Sequence, residues 1–397
     1  MKRISGDGFV RDDDAAAATT AAAATLDWFF GRVMPGFARR LPAPAGGYAE
    51  MLTSDGRPIV DDSCSTLVTA RLVYAFSHAH MLSPGPALEA AARHGYDFLL
   101  DRCADGREGL FRHKVLRSGG VAPDSRIDLY DHAFVLFALA WFSRAFDEPE
   151  PAERAAQIFE RLQALLRDDG HGGYREDDRG SLPRRQNPHM HLLEACHALL
   201  ELTGDPLWRD ASERLVGLFS RRLFDAETGS LGEFFTEDWR PAADEIGRWR
   251  EPGHHMEWVW LLLHHERLTG NARVLMPAER LHAFARRFGV SNDGLLIDAV
   301  DRDGAPLAPS RLLWPQTEAL KAALARAERL GDLGAPAEAA RLIRAIWERY
   351  IVADDGTWVN QLDADGAWIA GPVPVRVLYH LVLAFAEAAR LRHLWAG

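Results

Sequence analysis

The chain has 397 residues, a net charge of −11, 47% hydrophobic and 26% charged residues, and three cysteines. That is an ordinary globular composition, and an acidic balance without a Lys/Arg run among aromatics argues against a nucleic-acid-binding face. Cys64, Cys103 and Cys196 are odd in number and lack metal-ligand spacing, and neither a signal-type segment nor a run of about 18 apolar residues occurs. Reduced thiols, a cytoplasmic location and no membrane association are expected.

In chain order, residues 1–14 are expected to be disordered and a helix is predicted over roughly 15–40. Amphipathic helices are then predicted over 87–102, 151–167, 206–222, 272–288 and 336–350. Their apolar residues fall at helical spacing and their other faces carry Arg and Glu, as over Ala337–Ile343. Each is followed by a second helix that is apolar all round, such as Ala133–Trp141, and a helix without a polar face is normally buried. Between the members of a pair lie phrases running from Gly to an Asp-Gly turn: 47–56, 294–304 and 356–366, with a shorter form at 173–176. These read as small β-hairpins.

Arg71, His132, His191, His254, Glu318 and His380 recur along the second helices, with gaps of 61, 59, 63, 64 and 62 residues. A repeat of this size implies units that cannot bury their apolar faces alone. Six units account for almost the whole chain, so a closed, single-domain (α/α)6 barrel over 1–397, with hairpins at one mouth, is preferred to an open superhelical solenoid. Equivalent polar residues then converge on one cavity.

The motifs at the starts of these helices carry acid–base chemistry. Asn187 fits an N-cap and Pro188 the first helical position, which puts His191 in the first turn with Glu194 three residues on. His254 and Glu257 repeat the design after Pro252-Gly253, and a helix N-terminus there favours a neutral imidazole. Trp314-Pro315 precedes Glu318, and Trp314 offers a flat face to a sugar ring. Arg71 lies in an otherwise apolar helix, where a charge needs a partner or a wet cavity. Asp131, beside His132, reads as a first-turn acid. No His-Glu-x-x-His, Cys-x-x-Cys or phosphate-cradling glycine motif occurs, so neither a metal nor a cofactor is expected.

The phrases Asn-Pro-His-Met-His-Leu-Leu-Glu-Ala, Pro-Gly-His-His-Met-Glu-Trp, Trp-Pro-Gln-Thr-Glu-Ala and Leu-Tyr-His resemble those of the N-acylglucosamine 2-epimerase superfamily over residues 20–395. The resemblance implies an (α/α)6 barrel and cofactor-independent isomerisation or epimerisation of a monosaccharide next to its carbonyl. It implies His254 and His380 as the acid/base pair, His191 as a substrate and ring-opening residue, and Glu257 as the carboxylate paired with the central histidine. It also implies Arg71 on sugar oxygens, with Asn187 and Glu318 at pocket positions; Arg248 does not align cleanly with another family arginine. The Met-His-Leu-Leu-Glu-Ala form is similar to that of bacterial mannose isomerases, so interconversion of D-mannose and D-fructose by a monomer or homodimer is expected. The first alternative is an aldose 2-epimerase of the N-acylglucosamine, mannose/glucose or cellobiose type; two others are a glycoside hydrolase, which needs two carboxylates across the scissile bond, and a non-catalytic binding protein.

Overall fold

The computed structural model describes residues 12–106 and 109–395, with side chains from Thr20 onward. Of the expected disorder over 1–14, residues 1–11 lie outside the described residues, and a helix starts at Asp12. The two helix types form two concentric rings. In chain order, α1 (Asp12–Trp28) continues through a π-helical turn into α2 (Met34–Arg40), both outer, followed by inner α3 (Thr66–Leu82). Outer α4 (Pro86–Phe98) precedes inner α5 (Leu129–Phe146), and outer α6 (Glu150–Leu166) precedes inner α7 (Gln186–Thr203). Outer α8 (Pro206–Leu218), α10 (Leu275–Phe288) and α12 (Ala335–Tyr350) likewise precede inner α9 (Pro252–Thr269), α11 (Leu313–Leu330) and α13 (Leu378–Arg390). The short α14 (Arg392–Trp395) ends the described chain.

Each inner helix packs on the next, and α13 returns to pack on α3. The inner helices are buried on nearly every side, as their apolar sequences require, whereas the outer helices turn a charged face to solvent.

Backbone seams between neighbouring units close the ring. The residues just before each inner helix pair with a segment of the following unit: Ser63–Ser65 with Lys114–Leu116, Arg184–Arg185 with Phe234–Phe235, and Arg311–Leu312 with Gln361–Leu362. Single bridges, Asp128 to Asp177 and Arg250 to Val300, serve the other two joints. The sixth seam pairs Val373–Pro374 with Met51–Leu52 and so ties the last unit to the first. The fold is an (α/α)6 barrel. Hairpins form where expected at 51–59 and 299–308, and the segment after Gly356 folds back around Asp365-Gly366 with a Leu362 to Trp368 bridge, but the segment after Gly173 makes only a single bridge of its own, Arg167 to Tyr174. Extended residues there find partners across the seams instead, which satisfies edge groups that a two-residue hairpin leaves unpaired.

A recurrent side chain sets the rotation of the inner helices. His132, His189 and His255 each donate Nδ1–H to the carbonyl four residues back and accept a loop N–H at Nε2, from Phe111, Tyr174 and Leu231 respectively, all at 3.0 Å. In α11 the amide of Gln316 does the same, accepting from Leu296 N–H and donating to Leu312 O. His132 is therefore a fixing point between helix and loop, not a cavity residue, contrary to the sequence-based repeat. The position that faces the axis comes two residues later: Phe134, His191, Glu257 and Glu318. In α3 Thr69 bonds the carbonyl of Ser65, and two residues on stands Arg71. His380 completes the set. Two residues along a helix rotate the side chain by about 200°, so a nearly regular interval that lands on His132 picks the wrong face.

Candidate active site

Axial residues of the inner helices enclose a cavity of about 310 Å³ at the seam end of the barrel. Arg71, Asn187, His191, His254, Glu257, Trp314 and His380 line it, so seven of the eight residues proposed from the sequence share one space. Glu318 does not line it. It is fully buried behind His380 and accepts from that ring's Nδ1 at 2.8 Å. The walls also include Tyr130, Arg185, Glu251, Asn360 and Arg376, which sequence reasoning left without a role. Tyr130 was within reach: it stands two residues before His132, as Asn187 stands two before His189.

Asn187 does not cap its helix. Arg185 occupies the N-cap position in extended conformation, and the Asn187 amide turns into the cavity, 3.2 Å from His254 Nε2. Gly253 opens room for the opposite wall, because a Cβ there would come within 2.6 Å of the Trp314 ring. The Trp314 indole in turn lies against both His254 and His380, with ring centroids 4.8 and 5.6 Å away.

The two histidines of the expected acid/base pair sit in opposite electrostatic settings. Burial pushes the His254 imidazolium down, but Glu233, 3.0 Å from Nδ1, and Glu251, 3.3 Å away, outweigh it and hold the pKa up at about 10. His254 is thus protonated at neutral pH. The expected neutral ring is corrected here, since two carboxylates exceed the influence of a helix N-terminus. The pairing with Glu257 is corrected as well: the partners are Glu233 and Glu251. Glu233 sits in an irregular loop, where no periodicity could announce it. It is further held by Gln186, which in turn accepts from Trp258 Nε1.

Burial, with Arg71 and Lys321 nearby, drives His380 well below the ordinary histidine pKa. Its ring is neutral, with Nδ1–H on Glu318 and Nε2 left as a base. Glu318 itself lies 2.6 Å from the Lys321 ammonium, which is buried and held in its charged form by Glu318 and Glu257 against desolvation.

His191 is also neutral, lowered to about 4 by burial, and donates Nδ1–H to Glu194 at 3.0 Å. Tyr379 donates to the same carboxylate at 2.6 Å. Glu257 differs from the other carboxylates. Neither of its oxygens has a hydrogen-bond partner, and burial and the charge of Glu318 raise its pKa well above the usual range. Arg71 has no carboxylate partner among the described residues. Nη2 donates to Tyr130 Oη at 2.7 Å, and the guanidinium lies 4.1 Å from the Phe134 ring centroid.

Asp131 is outside the cavity, an acid of the first turn of α5 as expected, bound to His113 Nδ1 at 2.7 Å, and Asp128 caps the helix. Arg248 is also outside, at the surface, paired with Asp301 and Asp303. Among the described residues, four groups bring His, Asp or Glu donor atoms within 4.8 Å of one another: His113/Asp128/Asp131, His191/Glu194/Glu257, Glu233/Glu251/His254 and Glu257/Glu318/His380. In the last of these the Lys321 ammonium already occupies the place of a cation beside Glu318. No described helix is long and apolar enough to cross a membrane.

A cavity with one protonated and two neutral histidines, a buried carboxyl group without a hydrogen-bond partner and a guanidinium without a carboxylate partner is equipped for proton transfer on a polyhydroxylated molecule. The sequence profile of the N-acylglucosamine 2-epimerase (GlcNAc 2-epimerase) family matches residues 46–384. A mannose-6-phosphate isomerase of Rhizobium meliloti (strain 1021) is 34% identical over 354 residues, covering 86% of this chain and 89% of that protein. A D-mannose isomerase of Thermobifida fusca is 29% identical over 369 residues, covering 85% and 88%. The solved structure of a cellobiose 2-epimerase from Spirochaeta thermophila DSM 6192 superposes with a TM-score of 0.85 at 26% identity, covering 95% of this chain and 98% of that one. With its family profile, its barrel and its relatives in agreement, this chain belongs to the N-acylglucosamine 2-epimerase family of sugar isomerases and epimerases.

Proposed function

We propose that the protein interconverts D-mannose and D-fructose through a cis-enediolate, with His380 as base and His254 as acid. The single observation that carries this reading is the division of charge between the two rings: His254 is loaded with a proton and His380 is free to take one. His380 Nε2 removes the C2 proton of the open-chain aldose, and the electron pair moves into the C1–C2 bond and on to O1. His254 donates a proton to O1, then recovers the O2 proton as the carbonyl reforms at C2. The C2 proton now on His380 returns to C1, and the ketose results with every proton accounted for.

Arg71 supplies a positive charge without a carboxylate partner for the developing oxyanion, and neutral His191, whose Nδ1–H is given to Glu194, offers Nε2 as acceptor to a sugar hydroxyl. Asn187 serves His254 in both charge states, since rotation of its amide turns either oxygen or nitrogen toward Nε2. The name of the Rhizobium relative extends the reading to hexoses phosphorylated at C6.

Turnover in deuterated water tests the proposal. An isomerase yields fructose with deuterium at C1, and a 2-epimerase yields glucose labelled at C2. Absence of both exchange and product on any free or phosphorylated aldose rules out the whole reading.

A further inference from the structure

The mouth of the cavity carries more positive charge than a neutral sugar calls for. Arg376 lines it from the turn Val375–Val377 that leads into α13. Its side chain is exposed and has no ion-pair or hydrogen-bond partner among the described residues, although its backbone carbonyl accepts from Arg71 Nη1 at 3.4 Å. Arg185 also lines the mouth, gives Nε to Glu176 at 2.7 Å, and remains 37% exposed. Tyr130 is common to both. The guanidinium carbon of Arg185 lies 5.9 Å from its ring centroid and that of Arg71 lies 5.5 Å away. Burial raises this phenol's pKa most, Arg71 lowers it, Glu257 raises it, and Arg376 and Arg185 lower it, so all three guanidinium charges reach the ring that Glu257 also reaches.

Other arginines at the seam end of the barrel are neutralised by neighbours: Arg248 by Asp301 and Asp303, Arg302 by Asp225 and Glu227. An exposed arginine is ordinarily just a solvated surface group. Here Arg376, without an acidic partner among the described residues, and Arg185, partly exposed beside its partner Glu176, border the same cavity as the histidine pair and Asn360, whose acidic wall residues are Glu251 and Glu257. Hydroxyl groups are recognised by neutral donors and acceptors, which the inner part of the cavity already provides. A guanidinium fork instead matches the oxygens of a phosphate.

Resting on the isomerase reading above, we infer that Arg376 and Arg185 receive a phosphate monoester on the end of the sugar remote from the reacting carbons. They are then specificity-determining residues, and a terminally phosphorylated aldose is the preferred substrate class. The phosphoryl group is bound and not transferred, so the proton movements are those given for the free sugar.

The test compares kcat/KM for mannose and mannose 6-phosphate in the wild-type enzyme, Arg376→Gln and Arg376→Lys. The expected wild-type ratio favours the ester by at least tenfold. In Arg376→Gln that ratio falls about tenfold or more, chiefly through KM for the ester, and Arg376→Lys recovers part of it because charge is restored without the fork. Turnover of mannose with equal or poorer use of the ester overturns the inference and leaves the isomerase reading standing. A ratio that favours the ester but is unmoved by Arg376→Gln overturns the assignment to this arginine. Turnover of neither sugar defeats the isomerase reading and the inference together.

Discussion

Replacing Glu233 by Gln removes one negative charge from the pair that keeps His254 protonated, while preserving side-chain size. Glu233 Oε2 lies 3.0 Å from His254 Nδ1 and Glu251 Oε2 lies 3.3 Å away. A charge pair at about 4 Å with an effective dielectric near 20 is worth about 4 kcal/mol, or about 3 pKa units. The amide oxygen introduced by Glu233→Gln still accepts from Nδ1–H and from Gln186, so geometry is retained and only charge is lost. Glu251, whose own pKa is raised to about 7 by burial, remains as the sole partner. The His254 pKa should therefore fall from about 10 by about 2 to 3 units. Proton transfer needs this ring protonated, so the alkaline limb of the kcat/KM profile should move down by the same interval. At pH 7 the loss should be under about tenfold, and at pH 9 between about 10- and 100-fold. Proton NMR of the His254 ring gives the same pKa independently of turnover. An alkaline limb and ring titration that both stay put in Glu233→Gln would refute the charge assignment, and with it the roles of acid and base.

Three further outcomes are expected. His380→Asn should lower the rate of C2 deuterium exchange by about 10²- to 10⁴-fold while thermal unfolding changes little, which stopped-flow exchange by NMR and calorimetry can check together. Lys321→Met leaves Glu318 and the neighbouring buried carboxylates without their cation and should cost about 3 to 5 kcal/mol of stability, read as a lowered urea midpoint; an unchanged midpoint would show that the ammonium is not paired there. His189 and His255 are buried neutral, with pKa values lowered by burial to about 3 and about 4. A depressed folded pKa stabilises above the unfolded value of about 6.5, and that stability is lost as pH falls from there toward the folded value. Between pH 6.5 and 5 each should cost about 2 kcal/mol. Because Gln316 performs the same task without titrating, His255→Gln should be tolerated at pH 7 and be less acid-sensitive than wild type, whereas His255→Ala strands the Leu231 N–H and should cost about 1 to 3 kcal/mol.

The helices were legible because each kind carries its own pattern: Glu150–Leu166 alternates charge and apolar groups at helical period, and Leu129–Phe146 does not. Closure followed from six units filling the chain. The seams were not legible, because a two-residue strand such as Arg184–Arg185 has no period to detect. His254 and His380 could be found because both open apolar helices next to proline. Their charge states could not, since these depend on Glu233 and Lys321, which reach the rings only through tertiary packing. His132 misled for a related reason: histidine at a helix start has two uses in this fold, and sequence spacing alone does not say which face it takes.

The pairing of Met51–Leu52 with Val373–Pro374 joins residues more than three hundred positions apart. It is among the last contacts that a chain emerging from its N-terminus can make, and the loop it closes carries a correspondingly large entropy cost. This seam and the packing of α13 on α3 together fix His380 relative to His254 on α9, the pair that the proposed mechanism uses as base and acid. On that proposal, proton transfer on a sugar waits for the contact that ties the last unit of the toroid to the first.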